Sequence, residues 1–129
     1  ILSGIDVRIM VPNKPDHIFV YWATYSFIGE LAELGAKTYI YENGFIHTKM
    51  IIIDDELSSL GSANFDYRSF KLNFELNAFM YDDKTTKEFR DIFLNDIENS
   101  TLISFSKYQQ RSILIKIKEA FARLISPIL

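Results

Sequence analysis

A chain of 129 residues, 48% of them hydrophobic, is long enough to bury a core and too apolar for a disordered segment. It has no cysteine and only two histidines, which excludes disulfides, thiol nucleophiles and cysteine-based zinc sites and argues against a histidine-rich metal site. The formal charge of −3 lacks the basic excess typical of nucleic-acid-binding domains. No apolar run approaches the ~20 residues that span a bilayer.

The first third of the chain predicts a strand, a helix and a second strand. The strands are residues 6–12, which end at Pro12, and residues 37–42; the helix is residues 18–34, which stop at Gly35. The chain opens on Ile1 rather than Met and leads directly into a strand. We therefore expect it to be a piece of a longer protein.

Three further strands carry the polar residues of interest. Residues 45–53 and 57–64 should pair across an acidic turn at 54–56, and residues 72–81 should form the third strand. Because side chains two apart share a face of a strand, His47 should project with Lys49. The same rule places polar side chains together on the other two strands: Ser62 with Asn64, and Asn73 with Glu75 and Asn77.

These residue types together suit the chemistry of an anionic phosphorus centre. Phosphodiester transfer without a metal needs a nucleophile, a second acid, and fixed positive charge where oxyanion charge develops. His47 fits the nucleophile or the acid, while Lys49 and Asn64 can hold the non-bridging oxygens, with Gly61 and Ser62 close by. Glu75 on the neighbouring strand is placed to orient the imidazole of His47.

Asp54 lies an odd number of residues after Lys49, so a regular strand would send it to the opposite face. We therefore expect it to act structurally, by holding the turn or by pairing with Arg68.

The last third predicts two helical segments. Residues 82–99 carry apolar side chains at helical spacing, with Thr85 or Thr86 as the cap. Residues 105–125 form a basic amphipathic helix that either packs on the domain or lies on a membrane surface, where lysine and arginine are attracted to anionic lipid. The chain is therefore predicted to be one α/β domain, residues 1–129, with a mixed sheet flanked by helices.

The motif resembles the signature of the phospholipase D superfamily, which is His-x-Lys, four residues, Asp, six residues and Gly-Ser-x-Asn. Here it stands as His47-Thr-Lys49, Asp54 and Gly61-Ser62-Ala63-Asn64, with no departure in spacing. Further stretches resemble bacterial cardiolipin synthases over nearly the whole chain. They are Pro12-Asn-Lys-Pro-Asp-His17, Tyr21-Trp-Ala-Thr24, Tyr39-Ile-Tyr-Glu-Asn-Gly44, Asn64-Phe-Asp-Tyr-Arg-Ser-Phe70, Leu72-Asn-Phe-Glu75 and Leu124-Ile-Ser-Pro-Ile-Leu129.

The resemblance implies phosphatidyl transfer between two phosphatidylglycerol molecules through a phosphohistidine, giving cardiolipin and glycerol without a metal or other cofactor. It implies a phospholipase D-like fold and two motifs facing each other across a cleft, whereas this chain holds one. The second would come from an N-terminal half or from another copy of the chain. The resemblance also implies attachment to the cell membrane through anchors outside this chain, the segment itself being soluble or peripheral. Residues with a candidate role at the lipid head group are Lys14, Asp16, His17 and Asn73.

Two other interpretations of the function remain open. A phospholipase D-like nuclease acts with one motif per chain as a homodimer, although the acidic charge argues against nucleic acid as a partner. A non-catalytic interaction domain would not need the intact motif.

Overall fold

The structure is a computed structural model that describes residues 1–14 and 17–128. Its strands are β1 (Arg8–Pro12), β2 (Lys37–Tyr41), β3 (Lys49–Ile53), β4 (Leu57–Gly61), β5 (Asn77–Met80) and β6 (Ser100–Leu102). Its helices are α1 (Ile18–Glu33), α2 (Tyr67–Lys71), α3 (Asp83–Glu98), α4 (Phe105–Gln109) and α5 (Ile113–Ile125), followed by a 3₁₀ turn at Ser126–Ile128. The predicted mixed α/β class is confirmed.

The strands form two three-stranded sheets. In the first sheet β1 and β2 are parallel and joined through α1, and β6 pairs antiparallel on the other side of β2. In the second sheet β3, β4 and β5 are antiparallel neighbours in chain order. The predicted pairing of the β3 and β4 segments across an acidic turn is confirmed.

Helix α3 contacts strands of both sheets. Its Thr86 makes a buried hydrogen bond of 3.1 Å with Ser58 of β4, so α3 covers the face of the second sheet that carries Ser58. The sequence prediction that Thr85 or Thr86 caps this helix is wrong. Asp82 is the cap, because its carboxylate accepts hydrogen bonds from the backbone N–H and the hydroxyl of Thr85.

The C-terminal segment is two helices rather than the single helix predicted over 105–125. The chain becomes extended at Ser112, whose hydroxyl then caps α5 by accepting from the N–H of Ile115. Tyr108 of α4 packs directly on Gly29 of α1, where any side chain would collide with its ring. Helix α5 also packs on α1, so α1, α4 and α5 form a helical layer beside the first sheet.

Much apolar surface stays outside the core. The buried apolar side chains of the described residues are Ala23, Ile28, Ala36 and Ala122, all of them small except Ile28. Large apolar side chains remain exposed on α1, on the second sheet and on α5. Such patches mark contact surfaces. Among the described residues, no helix combines the length and the apolar character that crossing a bilayer requires.

Candidate active site

The motif residues converge on one end of the second sheet. Lys49 of β3 lies opposite Gly61 of β4, and Gly61 lies opposite Asn77 of β5. His47 comes two residues before Lys49, and Glu75 comes two residues before Asn77. The register therefore carries all three chain segments beyond the same edge of the sheet.

The three strands are shorter at this end than the sequence predicts. Regular pairing stops at Lys49, Gly61 and Asn77, so His47, Ser62, Asn64 and Glu75 lie on irregular backbone. The shared-face prediction therefore applies to Lys49, Ile51 and Ile53, but not to His47 with Lys49 or to Ser62 with Asn64. One reason is that helix α2 occupies part of the connection between β4 and β5.

A cluster of hydroxyl and amide groups surrounds the carboxylate of Glu75. Ser62 donates its hydroxyl to one oxygen at 2.5 Å, and Ser69 donates to the other at 2.9 Å. The side-chain amide of Asn73 adds a third hydrogen bond at 3.3 Å. These donors, with Ser62 first, and the nearby charge of Lys49 lower the pKa of the Glu75 carboxyl below its usual value. Glu75 is therefore held as a carboxylate, while its predicted hydrogen bond to His47 stays a prediction.

The Gly61–Ser62 segment is hydrogen-bonded to the chain at the start of β5. The N–H of Ser62 donates to the carbonyl of Leu76 at 3.0 Å, and the Ser62 hydroxyl accepts from the N–H of Leu76 at the same distance. Asn77 accepts from the N–H of Ala63 and donates to the hydroxyl of Ser59. A Cβ at Gly61 would collide with the Leu76 carbonyl oxygen, which explains the glycine at this position.

Lys49 and His47 lie together on one side of the site. The Lys49 ammonium donates to the main-chain carbonyl oxygen of His47 at 3.2 Å, which ties the two motif residues together. The exposed imidazole of His47 stacks on the ring of Phe45, with centroids 5.8 Å apart and planes inclined by 12°. Asn64, three residues beyond β4, is also exposed.

Asp54 lies in the turn between β3 and β4, away from this end of the sheet. Asp54 and Asp55 both have positive φ, 49° and 59°, and the N–H of Glu56 donates to the carbonyl of Ile53 across them. This is the geometry of the primed turns that suit hairpins. Among the described residues Asp54 makes no ion pair with Arg68; the ion pair at this turn joins Asp55 to Arg90 of α3.

The four candidates for head-group binding are divided between two places. Asn73 lies beside Glu75, as described above. Lys14 and His17 are exposed in the connection between β1 and α1, and His17 is the N-cap residue of that helix. Asp16 lies outside the described residues.

Sequence reasoning missed Ser69 and left Asn77 without a role. Ser69 is buried at the start of α2, where its N–H donates to the capping carboxylate of Asp66 at 2.7 Å. The spacing of Asp66 and Ser69 is that of an N-cap and its third helical residue, and this signal could have revealed α2. Nothing in the sequence shows that the Ser69 hydroxyl reaches Glu75.

The residues of the candidate site supply an imidazole, an ammonium, an ordered carboxylate and several amide and hydroxyl donors on one surface. These are the parts that metal-free displacement at phosphorus uses. No group of three or more histidine or acidic side chains within the described ranges is arranged to hold a metal ion.

The chain is similar to cardiolipin synthases. The family model described as "Cardiolipin synthase, PLD-like domain" matches residues 2–97. The chain is 57% identical over 128 residues to the major cardiolipin synthase ClsA of Bacillus subtilis, covering 99% of this chain and 27% of that protein. It is 56% identical over 128 residues to the cardiolipin synthase of Listeria innocua, again 99% of this chain and 27% of that protein. It is 55% identical over 127 residues to cardiolipin synthase 1 of Staphylococcus epidermidis, covering 98% and 26%. The chain thus spans about a quarter of the length of these curated relatives.

Proposed function

We propose that this chain, which belongs to the cardiolipin synthase family of phospholipase D-like domains, supplies one of two catalytic motifs to an enzyme that makes cardiolipin. The reaction transfers a phosphatidyl group from one phosphatidylglycerol to a hydroxyl of another and releases glycerol. The observation that carries this proposal is the convergence of His47, Lys49 and the ordered Glu75 carboxylate at one end of the second sheet.

The chemistry needs two imidazoles. One attacks phosphorus and forms a P–N bond as the bond from phosphorus to the glycerol oxygen breaks, and the other protonates that leaving oxygen. The second imidazole then removes the proton from the incoming hydroxyl, whose oxygen attacks phosphorus and releases the first imidazole. His47 takes either of these two roles, and the partner motif supplies the other.

The remaining site residues bind the substrate and orient the imidazole of His47. Lys49 and Asn64 hold the non-bridging phosphate oxygens, where a fixed positive charge stabilises the transition state. Glu75 accepts a hydrogen bond from the second ring nitrogen of His47 and sets its tautomer. Asn73, Lys14 and His17 are the described residues that we assign to head-group contacts.

The second motif packs against the uncovered face of the second sheet. Ile51 and Phe79 lie opposite the buried Ser59 on the face away from α3, and both are exposed. Ile53 continues this apolar row on the face that also carries Lys49. An apolar surface next to an incomplete catalytic site suits another part of the same enzyme or a second copy of this chain. The assembled enzyme would work at the cell membrane, held there by anchors outside this segment.

The test is to incubate the full-length enzyme with phosphatidylglycerol vesicles and measure cardiolipin and glycerol together. We expect one glycerol for each cardiolipin, and an unchanged rate in the presence of a metal chelator. Release of phosphatidic acid without cardiolipin would show hydrolysis in place of transfer.

A homodimeric phosphodiesterase is the alternative, favoured by the single motif in this chain. It would cleave DNA and bind it with a steep salt dependence, because nucleic-acid binding releases counterions. The net charge of −3 argues against that outcome. Incubating the same preparation with single-stranded and double-stranded DNA separates the two functions.

A further inference from the structure

Helix α5 is attached to the domain by a face that carries a buried carboxylate. Glu119 and Ala122, which are 3% and 0% exposed, lie on the side that packs toward α1 and α4. Glu119 accepts a hydrogen bond of 2.8 Å from the guanidinium of Arg111, which also stacks on the ring of Tyr108. The buried ion pair fixes the orientation of α5 about its own axis.

The opposite side of α5 is apolar and open to solvent. At 100° per residue its members lie within about one third of the helix circumference, centred opposite Glu119 and Ala122. We call this set the outer face, and it consists of Ile113, Ile117, Ala120, Phe121 and Leu124. Exposed fractions of 74% for Ile113 and 78% for Leu124 show that the domain does not cover either end of it.

Cationic and aromatic side chains line the borders of the outer face. Lys116 lies on one side and Lys118 on the other, and both are exposed. The ammonium of Lys118 is 5.1 Å from the centre of the Trp22 ring, and Trp22 meets Phe19 edge to face at 5.6 Å. An indole and lysines beside an apolar strip are the composition of helices that lie in a membrane interface.

The acidic side chains near Lys116 and Lys118 are already paired with arginines or lie to one side of α5. Glu119 is paired with Arg111, and Glu30 is paired with Arg123 at 2.5 Å. Glu33 faces the cleft beside Lys116 and Arg111. A protein partner would need its own carboxylates to meet Lys116 and Lys118, whereas an anionic bilayer offers both negative head groups and an acyl layer.

We propose that the outer face of α5 inserts into the boundary between head groups and acyl chains of an anionic bilayer, with the helix axis along the membrane plane. This inference rests on the proposed function, in that the substrates of such an enzyme are themselves lipids of that bilayer. The helix then docks this domain on the surface from which its substrate comes, independently of any anchor elsewhere in the enzyme.

Site-specific labelling of the full-length enzyme tests the inference. The described segment has no cysteine, so Phe121→Cys, with any cysteine outside the segment replaced, places one NBD fluorophore on the outer face. Ile92→Cys is the matched control, because Ile92 is an equally exposed apolar residue on α3. The labelled enzymes are reconstituted into phosphatidylglycerol vesicles with and without lipids that carry a quencher on the acyl chain.

We expect the label at position 121 to be quenched about threefold more than the label at position 92, as for a residue buried at the acyl boundary. In the vesicle-bound enzyme, replacing Lys116 and Lys118 by glutamine should reduce that quenching, since each lysine near an anionic surface favours binding about fivefold. A label at 121 with water-like emission and no quenching would overturn the inference. A blue-shifted label that lipid quenchers do not reach would also overturn it, because another protein surface would then cover α5. If cardiolipin still forms in either case, the proposed function survives and only the docking is wrong.

Discussion

His47 is the imidazole that this chain brings to the end of β3, next to Lys49. We predict that His47→Ala in the full-length enzyme lowers cardiolipin formation by at least about 10²-fold, because proton transfer or nucleophilic attack at that position is lost. The His47 side chain is exposed, so the circular dichroism spectrum should not change. Cardiolipin formation is measured by lipid chromatography.

Thr48→Ala is the matched control, since Thr48 is an exposed residue within the same motif. Its rate should stay close to that of the wild type. A His47→Ala enzyme that is folded and within tenfold of wild-type activity would exclude His47 from the chemistry.

The hydrogen bonds to Glu75 predict a pH effect. Ser69 donates to this carboxylate and lowers its pKa, so Ser69→Ala should raise the pKa of Glu75. If catalysis needs the ionised carboxylate, the acid limb of the pH–rate profile moves to higher pH. The stability that the carboxylate contributes is present above its unfolded pKa and is lost as pH falls through the folded pKa. In the variant the folded pKa lies closer to the unfolded pKa, so this contribution is smaller and its loss is complete at a higher pH.

Glu75→Gln removes the ionisable group itself. It should lower turnover by more than about tenfold, as misorientation of a catalytic histidine does, with little change in melting temperature. If Ser69→Ala moved the melting temperature and left the pH–rate profile in place, Glu75 would be a structural residue.

At the scale of elements, the turn between β3 and β4 is held by backbone conformation. Asp54 has φ of 49°, a region that aspartate, asparagine and glycine tolerate and that β-branched residues avoid. We predict that Asp54→Val destabilises the domain by about 1–2 kcal/mol, while Asp54→Asn leaves the melting temperature close to that of the wild type. Turnover of the folded fraction should be retained in both variants, as measured by activity against thermal melting.

Loss of turnover in a stable Asp54→Asn enzyme would show that the carboxylate acts in the reaction. It would then have to reach the phosphate from the far end of the hairpin, which the register of β3 and β4 opposes.

The elements show why some predictions from sequence were right and others were not. The cores of β3 and β4 were predictable because β3 ends in a run of isoleucines and the two segments flank an acidic turn. The ends of these strands were not predictable. The sequence pattern typical of a strand continues through His47 and Asn64, whereas backbone pairing stops at Lys49 and Gly61. The short helix α2 was missed for a related reason, since its five residues carry too few apolar positions to show helical spacing.

The site was predictable in residue type but not in arrangement. His47, Lys49, Ser62 and Asn64 form a motif with fixed spacing, which is a local property of the sequence. Ser69 and Asn77 act through contacts that depend on how α2 and β5 fold back on β4. Such contacts between distant positions leave no periodic signal.

At the scale of the whole molecule, two of the regions of exposed apolar surface have different surroundings. The row on the second sheet adjoins the catalytic residues, whereas the outer face of α5 is lined by lysines and Trp22. The first region suits the second catalytic motif and the second suits a lipid surface. Composition showed a chain rich in apolar residues but not where those residues would be exposed.

One imidazole cannot both attack phosphorus and protonate the leaving group on the opposite side. His17 does not replace the second one, because it lies before α1 on a connection from the first sheet. Residues 1–129 alone should therefore be catalytically inactive.

The most direct test measures cardiolipin and glycerol formation from phosphatidylglycerol by purified residues 1–129, alone and with a separately expressed segment that carries the second motif. We expect no product above background from the monomeric chain and equal amounts of cardiolipin and glycerol when both segments are present. His47→Ala in the mixture should abolish the restored activity. Full activity from monomeric residues 1–129 alone would contradict the requirement for two motifs.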